Sequence, residues 1–306
     1  MFEAIPAKVK IVEVGPRDGL QNEKAIISLE DKLHYISLLV DAGLNTIETT
    51  SFVRSDKIPQ MSDARDLFTQ VKKLAKFNQL NFPCLVPNLK GYELAKEVGV
   101  SEIALFSATS DDFTQKNINC TVEESFQRMQ FVAKLAQKDN VKIRGYISTA
   151  FGCPYAGKTS SQQLVKIVEK FLKLGVYEIS IGDTIGVATP KQVFDYLKDI
   201  FRVAKPNQIA MHFHDTYGMG ITNILTSLES GVSTFDSSSG GLGGCPYARG
   251  ATGNIATEDV LYLLNSLGVS TGVDMEKLKK ASTFILNKVN KKTPSKYLQS
   301  TLDRSK

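Results

Sequence analysis

A glycine ends a helical stretch and opens a short apolar strand at four places in this chain. The four segments are GLNTIETTS from Gly43, GVSEIALFS from Gly99, GVYEISIGD from Gly175 and GVSTFDSSS from Gly231. Each follows an amphipathic stretch, and glycine is favoured where a helix ends before the chain turns into a sheet. Successive glycines lie 56, 76 and 56 residues apart. Each interval can therefore hold one more strand and helix.

Four further apolar segments, one before Gly43 and one in each interval, bring the number of predicted strands to eight. They are VKIVEVG (9–15), NFPCLVP (81–87), VKIRGYIS (141–148) and QIAMHFH (208–214). Eight strand–helix units in about 260 residues are typical of a (β/α)8 TIM barrel, whose active site lies at the carboxyl ends of the strands. A doubly wound open sheet is the competing α/β architecture, but no G-x-G-x-x-G motif follows the first strand. We therefore predict a TIM barrel.

The end of the chain departs from the repeating pattern. After an eighth helix near 256–267, the sequence predicts an extra C-terminal helix at roughly 275–290 that packs on or beside the barrel. We expect residues 1–290 to form the catalytic domain and residues 291–306 to be a basic, flexible tail. The net charge of +5 arises entirely after residue 287. The barrel is thus neutral, and nucleic-acid binding is not indicated.

Cysteine usage and hydropathy indicate a cytoplasmic protein. The four cysteines are widely spaced and form neither a C-x-x-C nor a zinc-ribbon pattern, as expected of reduced thiols. No apolar run reaches the roughly 20 residues of a membrane span. The N-terminal residues carry neither a secretory nor a mitochondrial type of presequence. We therefore expect no membrane partner.

Two histidines occupy alternate positions of the seventh predicted strand. Because side chains alternate on a strand, His212 and His214 face the barrel interior, while Ile209, Met211 and Phe213 face the helices. An isolated H-x-H pattern is equally compatible with hydrogen-bonded core histidines. Their position at the carboxyl end of a barrel strand favours a role in a site.

Two oxygen ligands are predicted beside these histidines. The eighth strand closes against the first, which ends in EVGPRDGLQ and supplies Asp18, and the loop after the eighth strand ends at Asn254. One carboxylate, one amide oxygen and two imidazoles, with two positions left open, suit Mg²⁺ or Mn²⁺ and tolerate Co²⁺ or Zn²⁺. The open positions would leave room for a chelating substrate.

Other charged residues are predicted at the same mouth. Arg17 adjoins Asp18, Glu48 ends the second strand, and Asp183 ends the sixth strand. Taken singly, each is more simply a member of a structural ion pair. Their shared position at strand ends favours a functional role.

The loop after the eighth strand, SSSGGLGGCPYARGATGN, contains six glycines. No G-K-[ST] follows, so a phosphate-binding P-loop is not indicated, and a mobile lid that carries Cys245 over the metal fits better. The sequence GCPYA also occurs at Cys153, after the fifth strand. Position favours Cys245, which lies nine residues before Asn254, whereas Cys153 lies across the mouth.

At these residues the chain resembles the 3-hydroxy-3-methylglutaryl-CoA lyases, with a pyruvate carboxyltransferase-like domain. The similarity runs from about residue 8 to about residue 290, in VEVGPRDGLQNE, IETTSFV, GDTIGVATP, HFHDTYG and GLGGCPYARGATGN. Isopropylmalate and homocitrate synthases share the R-D-G and H-x-H elements. They usually have Glu-Arg where this chain has Cys245-Pro246-Tyr247, and they carry an extra C-terminal domain.

The resemblance implies cleavage of 3-hydroxy-3-methylglutaryl-CoA to acetyl-CoA and acetoacetate, in leucine degradation and ketone body formation, by a homodimer. It implies that a divalent metal lowers the pKa of the tertiary hydroxyl and that Asp18 or His212 takes its proton. Arg17 would bind the substrate and stabilise the enolate oxygen, and Cys245 would protonate the enolate carbon. Glu48 and Asp183 would orient the hydroxyl or relay its proton.

Two alternatives remain open from the sequence. The first is a metal-dependent synthase that joins an acyl-CoA to a 2-oxo acid, which Cys245 and the chain length disfavour. The second is a barrel that binds acyl-CoA or stores metal without catalysis. Such a barrel would have no use for an arginine and a lid cysteine beside the metal.

Overall fold

Parallel strands surround a central axis in the computed structural model, which describes residues 5–74, 77–244 and 253–302. Eight strand positions follow in chain order: β1 (Lys10–Glu13), β2 (two short pieces, Thr46–Ile47 and Thr50–Ser51), β3 (Cys84–Leu85), β4 (Glu102–Ala108), β5 (Lys142–Ser148), β6 (Glu178–Asp183), β7 (Ile209–Phe213) and β8 (Thr234–Ser237). Consecutive strands pair in parallel, and β8 pairs with β1. The predicted TIM barrel is confirmed.

The barrel closes through β2, whose two pieces bond to opposite neighbours. The first piece pairs with β1 and the second with β3. Between them, the amide of Glu48 donates to the carbonyl of Glu13 at 2.9 Å, and the amide of Thr49 donates to the carbonyl of Pro83 at 3.0 Å. Hydrogen bonding thus alternates from one side of β2 to the other, which joins the two ends of the sheet.

Helices follow the strands on the outside of the barrel. They are α1 (Leu29–Asp41), α2 (Ala64–Val71), α3 (Leu89–Glu97), α4 (Asp111–Ile118), α5 (Val122–Lys138), α6 (Ser161–Lys173), α7 (Pro190–Ile200), α8 (Gly220–Glu229), α9 (Thr257–Ser266), α10 (Met275–Val289) and α11 (Lys296–Leu302). Helix α10 is the predicted extra helix. Across the described ranges, no helix has the length and apolar character needed to cross a membrane.

The repeated glycines occupy the junctions that the sequence predicts. Gly43, Gly99, Gly175 and Gly231 follow α1, α3, α6 and α8, and all four have φ between +76° and +93°. This left-handed conformation ends a helix and is accessible to glycine without a steric cost.

The two faces of each strand have different chemistry. Ile209, Met211 and Phe213 of β7 are buried in the large apolar core between the strands and the helices, as predicted. The alternate positions face the barrel interior, where polar and charged side chains such as His212 and Arg144 are gathered. The apolar layer between strands and helices therefore stabilises the barrel, while the interior holds the polar and charged side chains.

Part of the segment for which the sequence predicts a flexible tail is ordered. Helix α11 begins where the Asp259 carboxylate accepts the amides of Lys296 and Tyr297 at 3.1 and 2.8 Å and the hydroxyl of Ser295 at 2.7 Å. Leu298 is fully buried. The cap comes from α9, which explains why the basic composition of the tail does not reveal the helix.

Two buried carboxyl groups anchor the start of the glycine-rich loop. Glu13 Oε1 accepts the amides of Gly15 and Ser239 at 2.9 and 2.8 Å, and the Glu258 carboxyl accepts the amide of Gly240 at 3.1 Å. Burial raises the pKa of Glu13 to about 7 and the pKa of Glu258 to about 8. Glu13 thus links the loop after β1 to the loop after β8 at the mouth of the barrel.

Replacing Glu258 with Gln should make the stability less dependent on pH. The pKa of Glu258 is about 8 in the folded chain, against about 4.3 when unfolded. Between these values the folded state holds a proton that the unfolded chain loses, so the free energy of unfolding falls as the pH rises. We expect the wild type to lose on the order of a few kcal/mol from this group between pH 5 and pH 8. Denaturant unfolding at the two pH values measures the difference, and equal losses in wild type and Glu258→Gln would contradict it.

Candidate active site

The end of β1 presents two charged side chains at the mouth through a single π-helical turn, Gly15–Gly19. Pro16 at its start restricts the backbone, and Arg17 and Asp18 follow. A Cβ atom at Gly15 would lie 2.3 Å from the hydroxyl of Tyr35, so the turn needs glycine there. Turns of this kind are rare and often occur at functional sites.

Three of the predicted metal ligands come together beside this turn. Asp18, His212 and His214 each offer a ligand atom, and these atoms lie within 4.8 Å of one another. Asp18 Oδ2 is 3.9 Å from His212 Nε2. Ligands held at about 2.1 Å from one ion lie within about 4.2 Å of each other, so small side-chain adjustments would complete such a group.

The fourth predicted ligand lies in the same group. The side-chain amide of Asn254 donates to Asp18 Oδ2 at 2.9 Å and to the carbonyl of Leu242 at 3.2 Å. A Cβ atom at Gly243 would approach Asn254 Nδ2 to 2.7 Å, so the glycine-rich loop makes room for this side chain. The structure therefore brings together all four residues that the sequence predicts.

Two polar side-chain atoms in this group are buried and lack a hydrogen-bond partner among the described residues. They are His214 Nδ1 and Asn254 Oδ1. Leaving a buried polar atom unpaired costs about 1–3 kcal/mol, and a bound cation would remove the cost at Asn254. The group therefore has an unfilled requirement that a metal ion can meet.

The charge states of Asp18 and His214 also fit a metal. Burial acts to raise the pKa of Asp18, but Arg17 and the two histidines outweigh it and lower this pKa to about 2. Burial, followed by the nearby His212, lowers the pKa of His214 to about 4. A carboxylate and a neutral imidazole are the forms that coordinate metals at neutral pH. The donor set thus suits a divalent cation.

Arg17 is clamped between two carboxylates. Its guanidinium nitrogens lie 2.7 Å from Asp18 Oδ1 and 2.7 Å from Glu48 Oε2. Its Nε is buried and bonds to none of the described residues. Its guanidinium lies 5.5 Å from the ring centroid of Tyr146. Arg17 is therefore held between two carboxylates, and its Nε has no partner among the described residues.

The two remaining predicted acids have specific contacts. Glu48 is fully buried and pairs with Arg17, and burial raises its pKa. Both carboxyl oxygens of Asp183 accept backbone amides of the following loop, from Val187 at 2.9 Å and from Ala188 at 3.0 Å. Glu48 thus orients Arg17, while Asp183 shapes the loop after β6, a role that its position at a strand end does not reveal.

The two GCPYA cysteines differ in what the structure describes. Cys245 lies in 245–252, outside the described residues. Cys153 is buried after β5, and its Sγ is 3.3 Å from Ser110 Oγ and 3.5 Å from the amide of Tyr155. Its thiol is thus engaged in local packing and hydrogen bonding.

A buried acid that the sequence patterns do not predict lies behind the histidines. Asp236 of β8 lies 3.3 Å from His212 Nδ1 and 2.7 Å from a guanidinium nitrogen of Arg144 on β5. A signal for it exists, because Asp236 is opposite His212 in the register of the paired strands. An acid at an inward position of a central barrel strand, next to an inward histidine, is detectable once the strands are aligned.

Comparison with known proteins identifies the family of this chain. The HMGL-like family model matches residues 8–285. The chain is 51% identical over 297 residues to human mitochondrial hydroxymethylglutaryl-CoA lyase, covering 97% of this chain and 90% of the relative. It is 46% identical to a cytoplasmic 3-hydroxy-3-methylglutaryl-CoA lyase of the rat, covering 98% of this chain and 87% of the relative.

Solved structures give the same grouping. The crystal structure of hydroxymethylglutaryl-CoA lyase from Pseudomonas aeruginosa superposes with a TM-score of 0.95 at 44% identity, covering 98% of this chain and 99% of that chain. A lyase from Acinetobacter baumannii, in complex with coenzyme A and 3-methylmalate, gives 0.90 at 34% identity and covers 96% and 95%. The chain therefore belongs to the HMGL-like family, among the hydroxymethylglutaryl-CoA lyases.

Proposed function

We propose that this chain cleaves 3-hydroxy-3-methylglutaryl-CoA to acetyl-CoA and acetoacetate with the help of Mg²⁺ or Mn²⁺. The observation that carries the proposal is the convergence of Asp18, His212, His214 and Asn254 beside Arg17 in a chain of this family. The coenzyme A complex of the Acinetobacter relative supports an acyl-CoA ligand.

The reaction breaks the bond between C2 and C3 of the substrate. The tertiary hydroxyl loses its proton and becomes the new carbonyl of acetoacetate, while the electron pair of the broken bond passes to the thioester as an enolate. When bound by the four ligands, a divalent cation supplies the Lewis acidity that lowers the pKa of this hydroxyl. Either Asp18 or His212 takes the proton.

Arg17 stabilises the enolate oxygen. Its fixed position between Asp18 and Glu48 leaves the buried Nε as a donor. A donor that is already oriented does not need to reorganise as negative charge develops. Glu48 acts through Arg17, and Asp183 acts through the loop that its carboxyl group holds. Through these contacts, each acid helps to orient the substrate hydroxyl or to relay its proton.

Cys245 protonates the enolate carbon to give acetyl-CoA. The glycine-rich loop that carries it starts at Ser237 and ends at Asn254, so the lid is attached to the metal group at its far end. A lid with this attachment can close when the acyl-CoA is bound and exclude water from the enolate.

The alternatives fit less well. A synthase that joins an acyl-CoA to a 2-oxo acid would use the same metal group, but the relatives named above are lyases. A barrel without catalytic activity would not require the buried clamp that orients Arg17.

Assembly and compartment are proposed on narrower grounds. A homodimer is expected from the family resemblance alone, and the mass in solution tests it. We propose a cytoplasmic location from cysteine usage, although the relatives include both mitochondrial and cytoplasmic lyases.

The proposed activity is tested by incubating purified protein with 3-hydroxy-3-methylglutaryl-CoA and Mg²⁺ and measuring acetoacetate. We expect acetoacetate and acetyl-CoA in equal amounts. Release of CoA from acetyl-CoA and a 2-oxo acid, without cleavage of the lyase substrate, would support a synthase. Substrate binding without any turnover would support the barrel that lacks catalytic activity.

His214→Ala should weaken binding of Mn²⁺ at least tenfold. Loss of a residue that merely orients a ligand costs about 10–100-fold in metal affinity, and loss of a ligand should cost no less. Isothermal titration calorimetry of protein that a chelator has stripped of metal measures this affinity. His34→Ala is the matched control, because His34 packs against Phe284 of α10, away from the metal group. Equal affinities in all three proteins would remove His214 from the site.

A further inference from the structure

A row of charges, buried except at its Lys10 end, runs through the barrel interior to the metal group. Lys10 Nζ lies 2.6 Å from Glu178, which lies 2.8 Å from Arg144 Nε. Arg144 in turn lies 2.7 Å from Asp236, and Asp236 lies 3.3 Å from His212 Nδ1. The signs of the charges alternate along the row. The row therefore ends at His212 Nδ1, whereas His212 Nε2 faces Asp18.

The Asp236 carboxylate is held on every side by donors. Its Oδ1 accepts from Arg144 at 2.7 Å, and its Oδ2 accepts from Arg144 at 3.2 Å and from Ser180 Oγ at 2.7 Å. His212 Nδ1 lies 3.3 Å from the same Oδ2. Asp236 and Arg144 are almost fully buried. The position of Asp236 is consequently fixed independently of the histidine.

Stability alone is a weak reason for this arrangement. Removing two charges from water costs several kcal/mol per ion, and replacing a buried ion pair by apolar residues is often neutral or stabilising. The contact with His212 suggests a second task. The two ring nitrogens of a histidine are linked, because the hydrogen bond made by one determines which one keeps a lone pair for a metal.

We infer that Asp236 is a positioning residue that holds His212 with its proton on Nδ1 and its Nε2 lone pair directed to the metal. The inference rests on the proposed function, in which His212 is a ligand. Nε2 is the nitrogen that faces Asp18, at 3.9 Å. An imidazole whose outer nitrogen is bonded to a carboxylate is a better oriented and more basic ligand.

Arg144 has a supporting task in the same row. Its guanidinium donates to both carboxylate oxygens of Asp236, at 2.7 and 3.2 Å, and such paired, charge-assisted bonds favour the ionised carboxylate. Asp236 therefore remains a carboxylate and an acceptor. Glu178 pairs with both Arg144 and Lys10, and Lys10, whose side chain is 37% exposed, connects the row to the surface.

The test measures metal affinity, which a role limited to catalysis would not change. Asp236→Asn should raise the Kd for Mn²⁺ by about 10–100-fold, as measured by calorimetry on metal-free protein. Asp63→Asn is the matched control, because it makes the same change in an acid that pairs with buried Lys32 at 2.8 Å and has no contact with the metal group. We expect its Kd to equal that of the wild type.

A milder variant and a spectroscopic readout separate positioning from misfolding. Ser180→Ala removes one donor to Asp236 and should weaken Mn²⁺ binding by a few-fold without unfolding the chain. The chain has three histidines, so ¹⁵N-histidine NMR of the Mg²⁺-loaded protein can be assigned by substitution. We expect a protonated Nδ1 at His212 in the wild type and loss of this single tautomer in Asp236→Asn.

The outcomes are distinguishable. A folded Asp236→Asn variant with wild-type Kd for Mn²⁺ and an unchanged His212 tautomer would overturn the inference and leave the proposed function intact. A wild-type protein that binds no Mn²⁺ would instead overturn the proposed metal site, on which the inference depends.

Discussion

Cys245→Ser should retain the fold, the metal and the acyl-CoA affinity, yet lose about 10²–10⁴-fold of turnover, the usual contribution of a positioned acid or base. A hydroxyl is a much poorer proton donor than a thiol at neutral pH, so protonation of the enolate carbon should become slow. Measuring kcat for acetoacetate formation, with Mn²⁺ affinity as a test of folding, gives the result.

Cys153→Ser is the matched control, because Cys153 lies in the same GCPYA sequence. Its thiol is buried and lies 3.3 Å from Ser110 Oγ, so any defect should come from packing alone. A dead Cys153 variant beside a fully active Cys245 variant would show that both the lid assignment and the proton donor are wrong.

Thiol reagents give an independent readout of the same assignment. Cys84, Cys120 and Cys153 are all buried, so rapid alkylation that inactivates the enzyme would report on Cys245. Bound acyl-CoA should slow this inactivation by holding the lid over the site. An equal rate of thiol alkylation in the Cys245→Ser variant, measured by mass, would place the reactive thiol elsewhere.

Arg17→Gln should lower kcat by about 10²–10³-fold, which is about 2.7–4 kcal/mol of transition-state stabilisation if Arg17 behaves like a donor of an oxyanion hole. The proposed bond strengthens only as charge develops on the enolate, so KM should change little. Steady-state kinetics separates the two parameters. A rise in KM with unchanged kcat would assign Arg17 to ground-state binding instead.

A loss of structure must be distinguished from a loss of catalysis in this variant. Arg17 pairs with Asp18 and Glu48, and its removal leaves the fully buried Glu48 without its cation. Arg17→Lys is the conservative comparison, since it keeps a positive charge but cannot bond to both carboxylates in the same geometry. We expect its kcat to lie between those of the wild type and Arg17→Gln.

The sequence predicts the barrel and the convergence of the four proposed ligand residues because both depend on local patterns. Glycines at helix ends mark the repeating units, and alternation on β7 directs His212 and His214 to the interior. Asp18 and Asn254 are then found by chain order alone, since β8 closes against β1.

The remaining features depend on contacts between distant segments. The clamp on Arg17 is formed by Glu48 from β2, and the cap of α11 is supplied by Asp259 from α9. The part played by Asp183 is set by two amides of the loop after it, and a carboxyl group at a strand end could equally have faced the metal. Asp236 becomes visible only through the register of β7 and β8.

Chelation and metal titration test the central claim of metal-dependent carbon–carbon cleavage most directly. The protein is stripped of metal exhaustively, and Mn²⁺ is returned in steps while acetoacetate formation from 3-hydroxy-3-methylglutaryl-CoA is followed. We predict no turnover in the stripped protein and recovery in proportion to bound Mn²⁺, saturating at one ion per chain. Full activity after exhaustive chelation would contradict metal-dependent cleavage.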